Sequence, residues 1–224
     1  MKRVLAIAPH ADDEIIGLGG TLLKHIKQGD EVYICIVTRG CQPIFSESFM
    51  EKLRAETLNC HQKLGAVKTF FLEFPSVMLD GVPRYELNNA MAKVFQEVAP
   101  QVVYIPHFGD MQKDHALVSE AAMVCVRPKY DYKVESVYAY ETLSETEWNI
   151  PSAENLFVPN VWVDITDYIE KKKDAMECYR SQLREFPNPR SLRAIEALSE
   201  YRGSTVCKKN AEAFMLIRQN DIVI

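Results

Sequence analysis

Short apolar runs alternate with helical patterns along this chain. Val4 to Ala8 is a compact apolar run of strand length. Ile15, Leu18, Leu22 and Ile26 then recur at helical spacing, and Gly29 supplies a stop. Val32 to Val37, rich in β-branched residues, reads as a second strand. Ser48 and Glu51 have capping-box spacing, and Phe49, Leu53, Thr57, Cys60 and Leu64 share one helical face that ends at Gly65. Val67 to Phe74 is a third strand, Leu87, Met91, Val94 and Val98 mark a third helix, Val102 to Ile105 is a fourth strand, and Asp114 to Val126 a fourth helix. Beyond these the pattern predicts strands near Ser136–Tyr140, Val158–Ile165 and Ala213–Ile217, a charged helix near Asp167–Glu185, and a helix from Arg190 to Tyr201.

Strand–helix alternation with strands apolar on both faces predicts an α/β fold: a parallel sheet with helices packed on each side. Right-handed crossovers leave few topologies, and the leading one is a doubly wound, Rossmann-like sheet of core order 3-2-1-4-5. No linker, low-complexity tract or repeat interrupts residues 1–224, so one domain is expected.

Composition adds exclusions. Of the 224 residues 47 % are apolar and 25 % charged, which is ordinary for a globular chain. A net charge of −5 argues against a general nucleic-acid binder, though a few local Arg or Lys suffice for an anionic small molecule. No apolar run approaches the ~18–20 residues of a membrane span. The apolar stretch after Met1-Lys2-Arg3 is too short for a signal peptide, so a cytoplasmic location is expected. The six Cys are scattered without a C-x-x-C pair and read as reduced, mostly buried thiols.

Candidate chemistry gathers at two strand ends. The first strand runs into Pro9-His10-Ala11-Asp12-Asp13-Glu14. Acids favour the first turn of a helix through capping and the macrodipole, which accounts for one or two of them but not for the His. The fourth strand ends in Pro106-His107-Phe108-Gly109-Asp110, followed by Gln112-Lys113-Asp114-His115. In a 3-2-1-4-5 sheet strands 1 and 4 flank the switch point, so the two clusters should face each other across one crevice. Two His and one carboxylate suit catalytic zinc with an open position, and they also suit Fe(II). Adjacent Asp12 and Asp13 offer one ligand and one base.

The first motif, followed by Gly17-Leu18-Gly19-Gly20-Thr21, resembles the signature of the LmbE/PIG-L family of metal-dependent N-deacetylases, whose usual form is H-P-D-D-E before a glycine-rich helix. Gly109-Asp110 with Asp114-His115 resembles the family's second motif, and Leu53-Arg54-Ala55-Glu56 with Leu64-Gly65 its next helix. Pro189-Arg190-Ser191, Arg202-Gly203 and Ala211-Glu212-Ala213-Phe214 resemble bacterial members associated with surface-sugar (polysaccharide) biosynthesis. The resemblance implies zinc ligands His10, Asp13 and His115, general base Asp12, acidic partner Asp114 in the catalytic set, and a substrate-side Arg54. It implies a hydrolase that removes an acyl group, usually acetyl, from an amino-sugar conjugate, nucleotide- or lipid-linked, as a homo-oligomer such as a trimer or hexamer.

Three positions depart from that pattern. Ala11 replaces Pro, while Gln112 and Asn188 stand where relatives often carry His. Gln donates a hydrogen bond to an oxyanion but delivers no proton near neutral pH. The leading account is that Asp12 carries the proton both ways; His107 could supply it from the same loop; or the enzyme is weak or acts on another acyl group. Arg54, His107 and Gln112 are thus the candidate substrate-side residues. The alternatives are hydrolysis of another amide, N-formyl or N-carbamoyl, and a metal- or sugar-binding protein with a decayed site. His25, His61 and the Lys171-Lys172-Lys173 run read as surface residues, Tyr138 and Tyr140 as packing, and Glu141 as a cleft candidate by position.

Overall fold

The structure is a computed structural model that describes residues 1–220. In chain order the elements are β1 (Arg3–Ala8), α1 (Asp13–Lys27), β2 (Glu31–Arg39), α2 (Glu47–Leu64), β3 (Lys68–Pro75), α3 (Arg84–Val98), β4 (Val102–Pro106), α4 (Lys113–Cys125), β5 (Ser136–Tyr140), β6 (Val161–Asp164), α5 (Ile169–Met176), α6 (Leu192–Ser204) and β7 (Ala211–Gln219). The sheet order is β3-β2-β1-β4-β5-β7-β6, so the expected 3-2-1-4-5 core is present and parallel.

The expectation of a wholly parallel sheet needs correcting. β7 pairs antiparallel with both β5 and β6, which makes the sheet mixed. Two helices, α5 and α6, separate β6 from β7. A second traverse returns the chain to the end where β6 finished, so β7 runs the other way.

Strand period two divides β1 between two cores. Val4, Ala6 and Ala8 face a layer with Ile15 and Leu22 of α1, Cys60 of α2, Met176 of α5 and Ile195 of α6. Leu5 and Ile7 face the other, with Met91 and Val94 of α3 and Leu117 and Val118 of α4. Helices therefore cover both faces, and the carboxyl ends of β1 and β4 lie side by side at the centre.

Helix α1 is kinked at Leu18 (φ −146°). A Cβ on Gly17 would lie 2.3 Å from the Tyr140 ring, so glycine lets the helix sit close on β5. The kink frees backbone groups, and one buried ion pair satisfies them. Glu212 accepts from the Gly20 and Thr21 amides at 2.9 and 2.7 Å. Lys172 Nζ donates to the Ile16 carbonyl at 2.8 Å and to Glu212 at 2.6 Å. Lys172 is thus buried, not solvated: consecutive helical residues point about 100° apart, so a run of three lysines turns one inward.

Other local expectations shift. The α2 cap is Ser46, whose Oγ accepts from the Phe49 amide, not Ser48. The helix after β6 stops at Met176, not Glu185, and α6 starts at Leu192 with Ser191 as its cap, which leaves Arg190 in the preceding loop. His61 is buried between Glu14 and Thr69, and the half-buried His25 pairs with Asp30 and Tyr104. Four of the six Cys are buried and all six are free. No helix among the described residues is long and apolar enough to cross a membrane.

Candidate metal centre and cleft

The loop after β1 and the start of α4 bring three side chains together. His10, Asp13 and His115 offer ligand atoms within 4.8 Å of one another. Asp13 Oδ2 lies 3.2 Å from His10 Nδ1 and 3.3 Å from His115 Nε2. Each imidazole is held from behind by a second carboxylate. His115 Nδ1 is 2.8 Å from Asp110 Oδ2, and His10 Nε2 is 3.1 Å from Asp114 Oδ2. Asp110 is fixed by the Thr146 hydroxyl at 2.6 Å, and Asp114 accepts from the Val77 amide at 2.7 Å. Carboxylate-backed imidazoles are the usual means of fixing ring orientation in metal sites.

The centre has unmet polar atoms. Asp13 Oδ1 and His115 Nε2 are buried without a hydrogen-bond partner, as are Asp12 Oδ1 and Gln112 Oε1. Buried polar groups are nearly always paired, so this concentration points to a missing positive partner. Electrostatics agree. Burial opposes charge on Asp13, but the two imidazoles outweigh it and hold its carboxyl well below the usual range. Burial likewise opposes charge on His115, but Asp13 and Asp110 push it up to about 10. The proton favoured on His115 would occupy a lone pair that a metal needs, and a bound metal would displace it. The residues fit a divalent metal.

Asp12 caps α1 with φ 112°, outside the usual range for a non-glycine residue. Its amide donates to Glu14 Oε2 at 3.2 Å, and Glu14 Oε1 is held by Tyr179 at 2.6 Å and His61 at 2.9 Å. That network pins the backbone of the strained residue. Its side chain is fixed by Arg190, whose Nη1 donates to Asp12 Oδ2 at 2.5 Å while its Nε donates to Ser144 Oγ at 2.8 Å. Burial pushes Asp12 up to about 8 against the pull of Arg190.

The cleft beside this centre is lined by His10, Asp12, Gln112, Glu145 and Arg190 together with Phe45, Phe49, Leu53, Arg54 and Phe71. Glu73 and Val77 also line it, and both have positive φ. Strain gathered around one cleft marks it as functional ground.

Of the residues singled out from sequence, His10, Asp12, Asp13, Asp114 and His115 converge, and Arg54 and Gln112 line the same cleft. Arg54 pairs with Glu73 and lies over the Phe71 ring at 3.9 Å. His107 is not brought in: its Nε2 is 3.0 Å from the Asn155 carbonyl, and its ring meets Phe157 edge-on. Glu141 does not line the cleft but forms a bidentate pair with Arg202 at 2.8 and 2.6 Å. Sequence reasoning missed Arg190, Asp110 and Glu145 as site residues. Asp110 and Arg190 each sat inside a motif that could have flagged it, Gly109-Asp110 and Pro189-Arg190-Ser191; nothing local marks Glu145.

The chain is similar to known proteins in sequence and in fold. The sequence model of the family described as PIG-L, GlcNAc-PI de-N-acetylase, matches residues 5–126. Diacetylchitobiose deacetylase of Thermococcus kodakarensis is 26 % identical over 208 residues, covering 83 % of this chain and 72 % of that protein. The conserved protein TT1542 of Thermus thermophilus superposes with a TM-score of 0.80 at 27 % identity, over 100 % of this chain and 98 % of its own. The 4-carboxy-2-hydroxymuconate hydratase of Pseudomonas putida superposes at 0.75 and 19 % identity, over 100 % and 99 %; that likeness is one of fold alone.

Proposed function

Since the chain belongs to the PIG-L family of de-N-acetylases, we propose that it is a zinc-dependent hydrolase that removes the N-acetyl group of an amino-sugar conjugate, releasing amine and acetate. The observation that carries this is the His10–Asp13–His115 set, with its unpartnered buried atoms, beside the strained Asp12 in an open cleft. The T. kodakarensis relative, a diacetylchitobiose deacetylase, supports the substrate class.

His10, Asp13 and His115 would hold the metal, which when bound supplies a Lewis acid for the amide carbonyl and makes water more acidic. The chain's own residues do the rest. Asp110 and Asp114 fix the two imidazoles so that ring nitrogens face the centre. Asp12 accepts the proton of the attacking water, and a cation beside it favours the carboxylate form that this role needs. Arg190 holds Asp12 Oδ2, leaving Oδ1 free for that proton. Arg54, on the cleft wall with Phe71, meets the sugar or its carrier.

The test is a screen of N-acetylated amino-sugar conjugates, nucleotide- and lipid-linked ones included, for amine release by the zinc-supplemented protein. Metal analysis runs in parallel. Release from at least one conjugate is expected; a protein that takes up metal yet releases no amine is a binder, and the reading fails.

A further inference from the structure

Amide hydrolysis needs a second proton transfer. Water gives one proton to a base, and the leaving nitrogen must receive one as its bond to carbon breaks. Of the polar groups that line the cleft, few can deliver it. Arg190 and Arg54 offer guanidinium N–H groups, which bind and orient rather than serve as acids, and Gln112 has no acidic proton. His107, which could have done so, faces Asn155 and Phe157 instead. Asp12 is held at Oδ2 by Arg190 and, in the reading above, takes the proton of the attacking water.

Glu73, also on the cleft wall, is paired with Arg54 and Arg39, and the carboxyl group that remains is Glu145. Glu145 lies in the loop after β5, lines the cleft and is largely buried. The Gln112 amide donates to its Oε2 at 3.2 Å, and Arg190 Nη2 lies 3.8 Å from its Oε1. That nitrogen is 3.9 Å from Asp13 Oδ1, so a single guanidinium nitrogen spans Glu145 and the metal set. At 3.8 Å the guanidinium is close but outside hydrogen-bond range, which leaves Oε1 available to a substrate.

We propose that Glu145 is a further catalytic residue, the acid that protonates the leaving amine. This rests on the deacetylase reading above. In the step, the C–N bond breaks, its electron pair stays on nitrogen, and nitrogen takes the proton from Glu145 Oε1. Acetate and the free amine form, Glu145 is left as carboxylate, and the proton held by Asp12 passes to solvent while Glu145 regains one. Burial, the largest influence on the group, pushes its carboxyl above the ordinary range and favours the proton-bearing form. The step moves the role that sequence reasoning gave to a two-way Asp12 onto a second residue.

The test compares wild type with Glu145→Gln and Glu145→Asp, each zinc-loaded, on a conjugate that wild type turns over, and measures binding of the product amine by calorimetry. Glu145→Gln should lower kcat by about 10²–10⁴-fold, with KM within about threefold and metal content unchanged. Glu145→Asp, which keeps an acid on a shorter arm, should recover part of that loss. The amine product should bind Glu145→Gln at least about tenfold more weakly, because the carboxylate that faces the ammonium is gone. If kcat falls less than about fivefold, or falls in Glu145→Gln and Glu145→Asp alike with amine affinity unchanged, the assignment is overturned. Wild type that turns over no conjugate overturns the deacetylase reading itself, and the assignment with it.

Discussion

Helix α1 touches two buried charged clusters that obey opposite rules. At its kink, Lys172 and Glu212 meet each other, the Ile16 carbonyl and the Gly20 and Thr21 amides, and neither side chain has an unpartnered buried atom. At its start, Asp12, Asp13 and His115 are equally buried, yet each has a polar atom with no partner. Both clusters bear the desolvation cost of buried charge. The kink cluster offsets it within the chain, so it is structure. The other leaves part of it open toward a cleft, so it is shaped for something that arrives from outside. Partnering separates the two where burial and charge do not.

The comparison breaks first at the deficient cluster. His115→Ala removes one of the three proposed ligands and the ring held by Asp110. Metal should drop from about one ion per chain, the stoichiometry of a three-ligand site, to near none, and turnover with it. Elemental analysis of the purified variant decides this; metal retained at the wild-type level would remove His115 from the set. Asp12→Ala comes next. It spares all three ligands, so metal should stay while kcat falls by about 10²–10⁴-fold, the span of a general base. Unchanged turnover would mean the proton goes elsewhere.

The kink cluster should respond in the opposite sense. Glu212→Gln leaves Lys172 buried without its counter-ion. The cost should be about 3–5 kcal/mol of stability, read from urea denaturation, because breaking one partner strands the other. Turnover per folded molecule should change little. Pairing it with Lys172→Met should recover much of the loss. A Glu212→Gln variant that keeps its stability but loses turnover would erase the distinction between the clusters.

Much of this was readable in the sequence, and what was not has a common cause. The apolar runs of β1, β2, β3 and β4 and the helices between them fixed the strand order, and the strand order alone predicted that His10 and His115 would meet. Topology rules turn periodicity into proximity at strand ends. The misses lie where no such rule reaches. Arg190 meets Asp12 from 178 residues away. Lys172 meets Ile16 from 156 away, and Tyr179 meets Glu14 from 165 away. Arg190 and Tyr179 lie in loops and Lys172 in the short helix α5, so spacing does not say which distant group their side chains meet. His61, amid its helix, read as a surface residue; its partner Glu14 is what draws it inside. The antiparallel β7 escaped for a related reason, since the sequence pattern shows that helices intervene but not how they return the chain.

The smallest effect tests whether the cleft wall belongs to the site at all. Arg54 pairs with Glu73, and both side chains are partly exposed. An exposed pair is worth about 0–1 kcal/mol, so its loss should hardly change stability. Its guanidinium also lies over the Phe71 ring at 3.9 Å, a contact that Lys does not reproduce in the same form although it keeps the charge. If Arg54 only braces the wall, Arg54→Lys leaves both KM and kcat alone. If its planar face and forked donors meet the sugar or its carrier, KM should rise about three- to tenfold with kcat nearly constant, the mark of binding lost equally from ground state and transition state. A steady-state comparison on a single conjugate separates the two. A fall in kcat without a rise in KM would place Arg54 with the reacting atoms instead, on the deficient side of the comparison.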